Sequence, residues 1–349
     1  MENKRDLLVT LADKNYILQA KQLFSSVYWN AGWEGDYMLL SHEIPEEEIK
    51  WFSDKGILIK ECKTLYNGKM GDGIYSMSVL DKFYLFTEEF KKWGKVVFLD
   101  ADIIVRASLD KLRNTKSFSS PITCKSNFRV FFRSGESKEL SILAEECDLS
   151  RPAFNSGVFS FDTSIIKEDT FEKLLTILKK YAAICPADDC ILNLLFYDQW
   201  IPVPIVYNTR ENQVFFKKID GIVLHFERPY NKKNYKPWNE ENPFYQEWKS
   251  NLEKAESIDL KKIQKGKQWN NYKIKYYSFL LNICIYVNMI SDVLTPVFRK
   301  FKDFFVYKLK YSLIYFMGTP NRSIGKIGEF IKKNNPDLYY KLKKVIGGK

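Results

Sequence analysis

The segment Lys95-Val-Val-Phe-Leu-Asp-Ala-Asp-Ile-Ile-Val-Arg106 is an apolar run interrupted by two acids. Val96 to Leu99 is β-branched and aromatic, which predicts a buried strand. Asp100 and Asp102 then fall at its carboxyl end, where open parallel sheets bind their ligands. Residues i and i+2 of an extended segment point to one side, so both carboxylates can converge on one hard cation. The alternative is a strand-to-loop turn with two solvated acids.

Strand-like and helix-like patterns alternate before this stretch. The order predicts an α/β fold with a mixed, mainly parallel sheet, in which Asp100 and Asp102 end the fourth strand. Strands are predicted at Leu7–Ala12, Tyr37–Leu40, Gly56–Lys60, Ile122–Cys124, Arg129–Phe132, Ile201–Tyr207 and Gly221–Phe226. Helices are predicted at Asn15–Tyr28, after Pro45, at Ser78–Trp93 and at Ile165–Tyr181. Asp188 begins a further helix, where an acid can simply cap the unpaired N–H groups.

Positive charge is concentrated at the end of the chain. Residues 251–349 carry 20 Lys and Arg against 7 Asp and Glu, whereas residues 1–250 carry 34 against 36. A near-neutral body argues against a nucleic-acid-binding catalytic domain, and a cationic tail predicts contact with an anionic surface. We therefore expect a catalytic domain at 1–250 and a basic, aromatic-rich helical extension at 251–349, with no nucleic-acid partner.

The extension has the composition of a helix that lies on a membrane. Val297–Met317 interleaves aromatic and basic side chains at helical spacing, which favours an anionic membrane surface as a partner of residues 260–317. The uncharged run Tyr276–Ser291 is shorter than the ~20 residues of a spanning helix. The alternative is a helical subdomain that packs its aromatic side chains on the catalytic body.

The cysteines and the N-terminus predict a reducing compartment. The six Cys residues have no CxxC spacing, and Met1 leads into a strand pattern without a signal-peptide apolar region. We expect a cytoplasmic protein, peripheral on the cytoplasmic face of the membrane, whose cysteines only pack. His42, beside Glu43 and Pro45, is expected at the surface.

Four segments, in this order, resemble the retaining, metal-dependent nucleotide-sugar transferases typified by glycogenin and the bacterial lipooligosaccharide galactosyltransferases (glycosyltransferase family 8). They are Leu8-Val-Thr-Leu-Ala-Asp-Lys-Asn-Tyr16, Phe98-Leu-Asp-Ala-Asp-Ile-Ile-Val-Arg106, Phe154-Asn-Ser-Gly-Val158 followed by Asp188-Asp-Cys-Ile-Leu-Asn193, and His225-Phe with Lys236-Pro-Trp238. The resemblance covers roughly residues 7–238. It implies a single Rossmann-like nucleotide-binding domain of the GT-A type. It also implies transfer of galactose or glucose from a UDP-sugar to a glycan or lipid-linked acceptor, in the synthesis of a cell-surface polysaccharide or lipopolysaccharide.

The resemblance also implies roles for individual residues. Asp100, Asp102 and His225 match the ligands of a Mn²⁺ ion, for which Mg²⁺ is a possible substitute. The nucleotide-binding positions are Leu11, Asp13, Asn15, Tyr16, Lys82 and Ala101. Asn155, Ser156 and Lys236 match the contacts to the donor sugar and diphosphate, and Asp188 matches an acid that hydrogen-bonds sugar hydroxyls.

Two departures from the family pattern bear on mechanism. Asp189 stands where the family has glutamine, so a carboxylate replaces an amide beneath the anomeric carbon. Asp188 and Asp189 are therefore the candidate catalytic acids, and Asp189 makes double displacement through an enzyme nucleophile possible beside front-face substitution. An insertion between His225 and Lys236 brings in Arg228, Lys232 and Lys233, which could take over the diphosphate contact.

Two other functions fit parts of the pattern. An inverting transferase also uses an Asp-x-Asp pair, but it needs a general base for the acceptor. A catalytically silent transferase fold could instead serve as a membrane-binding or nucleic-acid-binding scaffold through its basic tail.

Overall fold

A computed structural model describes residues 4–73, 75–122, 127–132, 138–210, 219–227 and 236–298. The chain divides into two compact units, Met1–Asn282 and Ile283–Lys349, and the first contains all the candidate site residues. The described part of the second is the end of the last helix. Arg228, Lys232 and Lys233 and most of the segment Val297–Met317 lie outside the described residues.

The described strands form two sheets. The main sheet has seven strands in the order β3-β2-β1-β4-β7-β6-β8, and a second sheet has the order β5-β10-β9. The strands are β1 Leu7–Asp13, β2 Asp36–His42, β3 Leu58–Cys62, β4 Lys95–Leu99, β5 Ile103–Val105, β6 Ser119–Pro121, β7 Val158–Asp162, β8 Ile201–Val203, β9 Thr209–Arg210 and β10 Val223–His225. β3, β2, β1 and β4 are parallel, and β7 pairs antiparallel with β4. The predicted α/β fold with a mixed, mainly parallel sheet is confirmed.

Helices connect these strands. They are α1 Ile17–Ser26, α2 Glu46–Asp54, α3 Asp110–Arg113, α4 Lys138–Glu146, α5 Thr170–Tyr181, α6 Asp188–Leu195, α7 Tyr245–Lys254 and α8 Asn271–Phe298. No helix among the described residues is both long and apolar enough to cross a bilayer. The extension was predicted to be helical, and α8 provides a helix in this part of the chain.

Aromatic side chains from several elements form one buried cluster at β4 and β7. Phe98 of β4 stacks on Phe159 of β7 with ring centroids 4.9 Å apart, and Phe86 stacks on Phe161 at 4.8 Å. All four side chains are fully buried. Burying each such ring contributes about 1.5–3 kcal/mol, so the strand that ends at Asp100 has a rigid support.

Three predicted elements take a different form. The strand predicted at Ile201–Tyr207 ends at Val203, and Ile205–Asn208 is a 3₁₀ turn. The segment predicted as an α-helix at Ser78–Trp93 is two 3₁₀ helices, Met77–Phe86 and Glu88–Lys92, since the buried Leu80, Phe83 and Phe86 recur every three residues. The strand predicted at Arg129–Phe132 is wrong: Phe128–Phe131 is a 3₁₀ turn that buries Phe128 and Phe131.

The strand predicted at Ile122–Cys124 lies earlier, at Ser119–Pro121. Ile122 forms only an isolated bridge to Phe154, and Cys124 is outside the described residues. Ser119 and Ser120 are buried here, and the Ser120 hydroxyl donates to the Val158 carbonyl at 2.7 Å. The strand thus contains small, buried polar residues, whereas it was predicted from the apolar pattern at Ile122–Cys124.

Two predictions about single residue types are wrong. His42 is buried at the end of β2, where its Nδ1 lies 2.6 Å from Asp81 Oδ2, because the 3₁₀ helix Met77–Phe86 covers this strand end. Cys185 and Cys190 form a disulfide rather than merely packing. The turn at Pro186 brings their Cα atoms to 5.5 Å, which is within the range for a bridge.

The segment after α7 packs on the sheet domain. The backbone N–H of Lys267 donates to the Asn30 carbonyl at 2.7 Å, and Ser108 donates to the Lys267 carbonyl at 2.8 Å. Gly266 permits this close approach, because a Cβ there would overlap the carbonyl oxygen of Ala31. The compact unit accordingly continues past residue 250 to Asn282.

Candidate active site

Sheet register brings the three predicted metal ligands together. Asp100 follows β4, and β5 begins directly after Asp102. β10 pairs antiparallel with β5 so that His225 lies opposite Ile103, and the Phe226 N–H donates to the Asp102 carbonyl at 3.1 Å. Ala101 between the acids is buried.

Asp100, Asp102 and His225 offer three ligand atoms within 4.8 Å of one another. His225 Nε2 lies 3.3 Å from Asp102 Oδ1 and 3.7 Å from Asp100 Oδ2. This nitrogen is buried and makes no hydrogen bond within the described part of the chain. Buried polar atoms are normally satisfied, so an unbonded Nε2 facing two carboxylates fits a site for a cation.

Gly157 leaves room beside this group. A Cβ at this position would overlap His225 Cε1 and lie 2.6 Å from Asp100 Oδ2. The backbone also closes the site, since the Asp100 N–H donates to the Gly157 carbonyl at 2.8 Å. The glycine of the Asn-Ser-Gly turn is therefore required by close packing.

Two lysines pair with the acids. Lys82 Nζ lies 3.0 Å from Asp100 Oδ1 and 2.9 Å from Asp188 Oδ2. Lys236 Nζ lies 2.5 Å from Asp102 Oδ2. The structure thus brings both predicted phosphate-contacting cations to the Asp100–Asp102 pair. Three carboxyl groups and two ammonium groups therefore lie together in this part of the described structure.

Burial and pairing shift the pKa values in opposite directions. Burial raises the pKa of Asp100, and Lys82 offsets part of that rise. Burial would also raise the pKa of Asp102, but the ammonium group of Lys236 opposes this and the pKa is lowered. For Lys82, the carboxylates of Asp100 and Asp188 outweigh burial and raise the pKa. Asp102 is thus anionic and Lys82 cationic at neutral pH.

Asp188 does not act as the helix cap. The N-cap of α6 is Ala187, and Asp188 lies one residue later, 4% exposed and paired with Lys82. Asp189 follows it and is partly exposed, and its carbonyl accepts a hydrogen bond from Asn193 Nδ2 at 2.7 Å. The disulfide between Cys185 and Cys190 encloses both acids.

The Asn155–Ser156 turn lies against the same group. Asn155 Oδ1 accepts a hydrogen bond from the Gly157 N–H at 3.1 Å. Lys82 Nζ lies 3.5 Å from the carbonyl oxygen of Ser156, whose side chain is buried. This turn is therefore held directly beside Asp100.

The loop after β1 forms the other side of the site. Asp13 Oδ1 accepts from the Asn15 N–H at 2.8 Å, and the Tyr16 N–H donates to the Asp13 carbonyl at 3.0 Å. Val9 pairs with Phe98, and Leu11 lies two residues beyond this pair on β1. Tyr16 packs edge-on against Trp238, with ring centroids 6.0 Å apart.

Asn208 is a site residue that sequence reasoning missed. Its side chain is 4% exposed and bonds to both His225 Nδ1, at 2.9 Å, and Asn155 Oδ1, at 3.2 Å. A single asparagine in a 3₁₀ turn, Ile205–Asn208, carries no local signal of such a position.

The fold and the clustered acids define a GT-A type nucleotide-sugar transferase fold. A family model described as glycosyl transferase family 8 matches residues 7–242, and the chain belongs to this family.

Curated relatives and solved structures agree with this assignment. Galactinol synthase 5 of Arabidopsis thaliana is 25% identical over 179 residues, covering 48% of this chain and 53% of its own. Glycosyltransferase GlyA of Streptococcus pneumoniae serotype 4 is 24% identical over 217 residues, covering 59% of this chain and 28% of its own. The chain therefore spans about half, or less, of the length of these relatives.

A crystal structure of the galactosyltransferase LgtC in complex with donor and acceptor sugar analogues shares the fold. Its TM-score is 0.55 at 18% identity, over 72% of this chain and 96% of LgtC. The apo structure of the bifunctional enzyme WbbM has a TM-score of 0.55 at 17% identity, over 73% of this chain and 51% of that chain.

Proposed function

We propose that this protein transfers galactose or glucose from a UDP-sugar to a glycan or lipid-linked acceptor, with retention at the anomeric carbon. One observation carries the proposal: Asp100, Asp102 and His225 meet at one edge of the sheet, beside Lys82, Lys236, Asp188 and the Asn155–Ser156 turn. This is the strand edge at which α/β folds bind nucleotides.

The acid pair and the imidazole suit a divalent cation, with Mn²⁺ the first choice and Mg²⁺ a substitute. The unbonded Nε2 of His225 and the space left at Gly157 both fit such an ion. Bound there, it would supply positive charge for the donor diphosphate.

The two lysines would complete diphosphate recognition. Lys236, now paired with Asp102, would turn to the leaving diphosphate and stabilise the charge that grows as the glycosidic bond breaks. Lys82 is held by two carboxylates and would contact phosphate or sugar from that fixed position.

The donor's other parts would lie on either side of the metal group. Leu11, Asp13, Asn15 and Tyr16 would hold uracil and ribose, with the Tyr16 ring against the base, and Ala101 would offer its backbone. Asn155, Ser156 and Asp188 would hydrogen-bond the hexose. Asp189 would act as nucleophile, its carboxylate displacing UDP and then being displaced by the acceptor hydroxyl, so that two inversions give retention.

The acceptor side of the proposal uses the first turns of α8. Tyr272, Lys275, Tyr276 and Phe279 lie at i, i+3, i+4 and i+7 and are all exposed, whereas Ile274 and Leu281 on the other face are buried. Aromatic and basic side chains together suit the headgroup region of an anionic membrane, where a lipid-linked acceptor at the cytoplasmic face would be found.

Flotation with vesicles tests the membrane partner. The full chain should float with phosphatidylglycerol vesicles at low salt, and neither with phosphatidylcholine vesicles nor at high salt. Replacing Tyr272 and Phe279 by Ser should weaken flotation. Full-length protein that stays free of anionic vesicles at low salt would overturn this part.

Thermal stability with a panel of donors tests the proposed reaction site. Binding raises the free energy of unfolding by about 2.7 kcal/mol when the ligand is at 100 times its dissociation constant. LgtC is described as a galactosyltransferase, so UDP-galactose is the first donor to test, followed by UDP-glucose. We expect stabilisation by one of these only with Mn²⁺, and none by GDP-mannose. Equal stabilisation without metal would overturn the metal-dependent site.

A further inference from the structure

The side chain of Asn208 connects the proposed metal ligand to the Asn155–Gly157 turn. Its Oδ1 lies 2.9 Å from His225 Nδ1, and its Nδ2 lies 3.2 Å from Asn155 Oδ1. All of these groups are buried or partly buried, and Asn208 itself is 4% exposed. Three side chains and one backbone amide thus form a continuous hydrogen-bonded chain.

The donor and the acceptor of each of these hydrogen bonds can be assigned from one unambiguous donor. The backbone N–H of Gly157 can only donate, so the Asn155 atom 3.1 Å away must be its carbonyl oxygen. An oxygen facing Asn208 requires a donor there, which identifies that atom as Nδ2. The other end of the Asn208 amide is then Oδ1, and it can only accept. His225 Nδ1 must therefore carry a hydrogen.

A hydrogen on Nδ1 determines what the other ring nitrogen can do. In the neutral imidazole, Nε2 is left with a lone pair, on the side of Asp102 and Asp100 at 3.3 and 3.7 Å. With a lone pair, Nε2 can bind a cation but cannot donate a hydrogen bond to either carboxylate. This agrees with a buried Nε2 that makes no hydrogen bond within the described residues.

We infer that Asn208 is a positioning residue that selects the metal-binding tautomer of His225 and couples it to the Asn155–Gly157 turn. The expected effect on metal binding rests on the proposed function, because His225 needs a lone pair on Nε2 to bind a metal ion. Partners that orient a ligating histidine typically change metal affinity by 10–100-fold when they are removed.

Nitrogen NMR of the imidazoles tests the tautomer without any metal. The chain has only two histidines, so a His42→Gln variant assigns the spectrum of ¹⁵N-histidine-labelled full-length protein. In alkaline, metal-free buffer we expect His225 to carry its proton on Nδ1, the less common form of a free histidine side chain. A proton on Nε2 would overturn the inference.

Two substitutions test the consequence. Asn208→Leu removes both hydrogen bonds and should weaken Mn²⁺ binding, measured by the electron paramagnetic resonance signal of free Mn²⁺, by about 10–100-fold. Asn208→Asp keeps an acceptor for Nδ1 and should bind Mn²⁺ more tightly than the Leu variant. A folded Leu variant with wild-type Mn²⁺ affinity would overturn the inference, and circular dichroism establishes the folding.

The two measurements separate this inference from the proposed function. If wild-type protein has the Nδ1 proton but does not bind Mn²⁺, the hydrogen-bonded chain stands and the metal-dependent function fails. If the protein binds Mn²⁺ but has the proton on Nε2 in its metal-free form, the function stands and the role of Asn208 fails. The NMR result holds even if the Leu variant does not fold.

Discussion

Lys82 and Asp188 form a buried ion pair in which the lysine Nζ lies 2.9 Å from the aspartate Oδ2. Their side chains are 4% and 5% exposed, and the same ammonium lies 3.0 Å from Asp100. One cation therefore holds the first turn of α6 against the end of β4. Lys82 thus pairs with two acids, Asp100 and Asp188, that are far apart in sequence.

Replacing Lys82 by Met keeps most of the side-chain volume and removes the charge. Asp100 and Asp188 then lose their cation inside the protein, so we expect the free energy of unfolding to fall by about 3–5 kcal/mol in urea denaturation. Lys50→Met is the matched control, because Lys50 pairs with Asp54 at the surface. It should change stability by less than about 1 kcal/mol. Equal effects of the two variants would contradict the buried pairing.

Gly157→Ala places a methyl group against His225 and Asp100. Because strand pairing holds both residues, we expect loss of Mn²⁺ binding with only a modest fall in melting temperature. Gly94→Ala is the control, since the nearest atom to a Cβ there is Asp6 Oδ1 at 3.2 Å, on a side chain that can move. Wild-type Mn²⁺ affinity in Gly157→Ala would mean that the site is wider than the structure shows.

Asp81 predicts a pH dependence of stability. Burial raises the pKa of this carboxyl to about 6, against an attraction to His42 that lowers it. The folded state therefore binds a proton more tightly than the unfolded state, whose carboxyl titrates near 4. The sign follows: the contribution of Asp81 to stability is greatest below pH ~4 and is lost as the pH rises through about 6.

The Asp81→Asn variant isolates this contribution. Relative to it, the wild-type free energy of unfolding should fall by roughly 2–3 kcal/mol between pH ~4 and ~7. Urea denaturation across this range measures the difference, and Asp54→Asn, at an exposed position, serves as the control. Parallel curves for wild type and Asp81→Asn would show that the carboxyl titrates normally.

Asp189→Asn tests the proposed nucleophile. An amide cannot displace UDP at the anomeric carbon, so kcat should fall by about a thousandfold or more, with little change in donor KM. Asp169→Asn, at an exposed position before α5, should be unaffected. Turnover that stays near wild type in Asp189→Asn would leave front-face substitution as the route to retention.

Local patterns in the sequence predict the elements that carry the site, but not all of its contacts. The apolar run before Asp100 predicts β4, and the two-residue spacing predicts that Asp100 and Asp102 lie together. The positions of His225, Lys236 and Asn155 were predicted by resemblance to a family, because strand register over long sequence separations leaves no local signal.

Other contacts depend on three-dimensional packing. Asn208 has its role through two partners that are distant in sequence, and the burial of His42 depends on the 3₁₀ helix that carries Asp81. The Cys185–Cys190 disulfide depends on the turn at Pro186, which a spacing of five residues does not reveal. These three features depend on how the chain packs, which the sequence pattern does not specify.

The most direct measurement is the rate of UDP release from UDP-galactose and UDP-glucose by full-length protein, with and without Mn²⁺, for wild type and Asp102→Ala. Asp102 lies 3.3 Å from His225 Nε2 and pairs with Lys236, so its removal affects both the metal site and the cation proposed for the leaving diphosphate. We expect Mn²⁺-dependent turnover in wild type and none above background in Asp102→Ala. Near-normal turnover in Asp102→Ala would contradict the central claim.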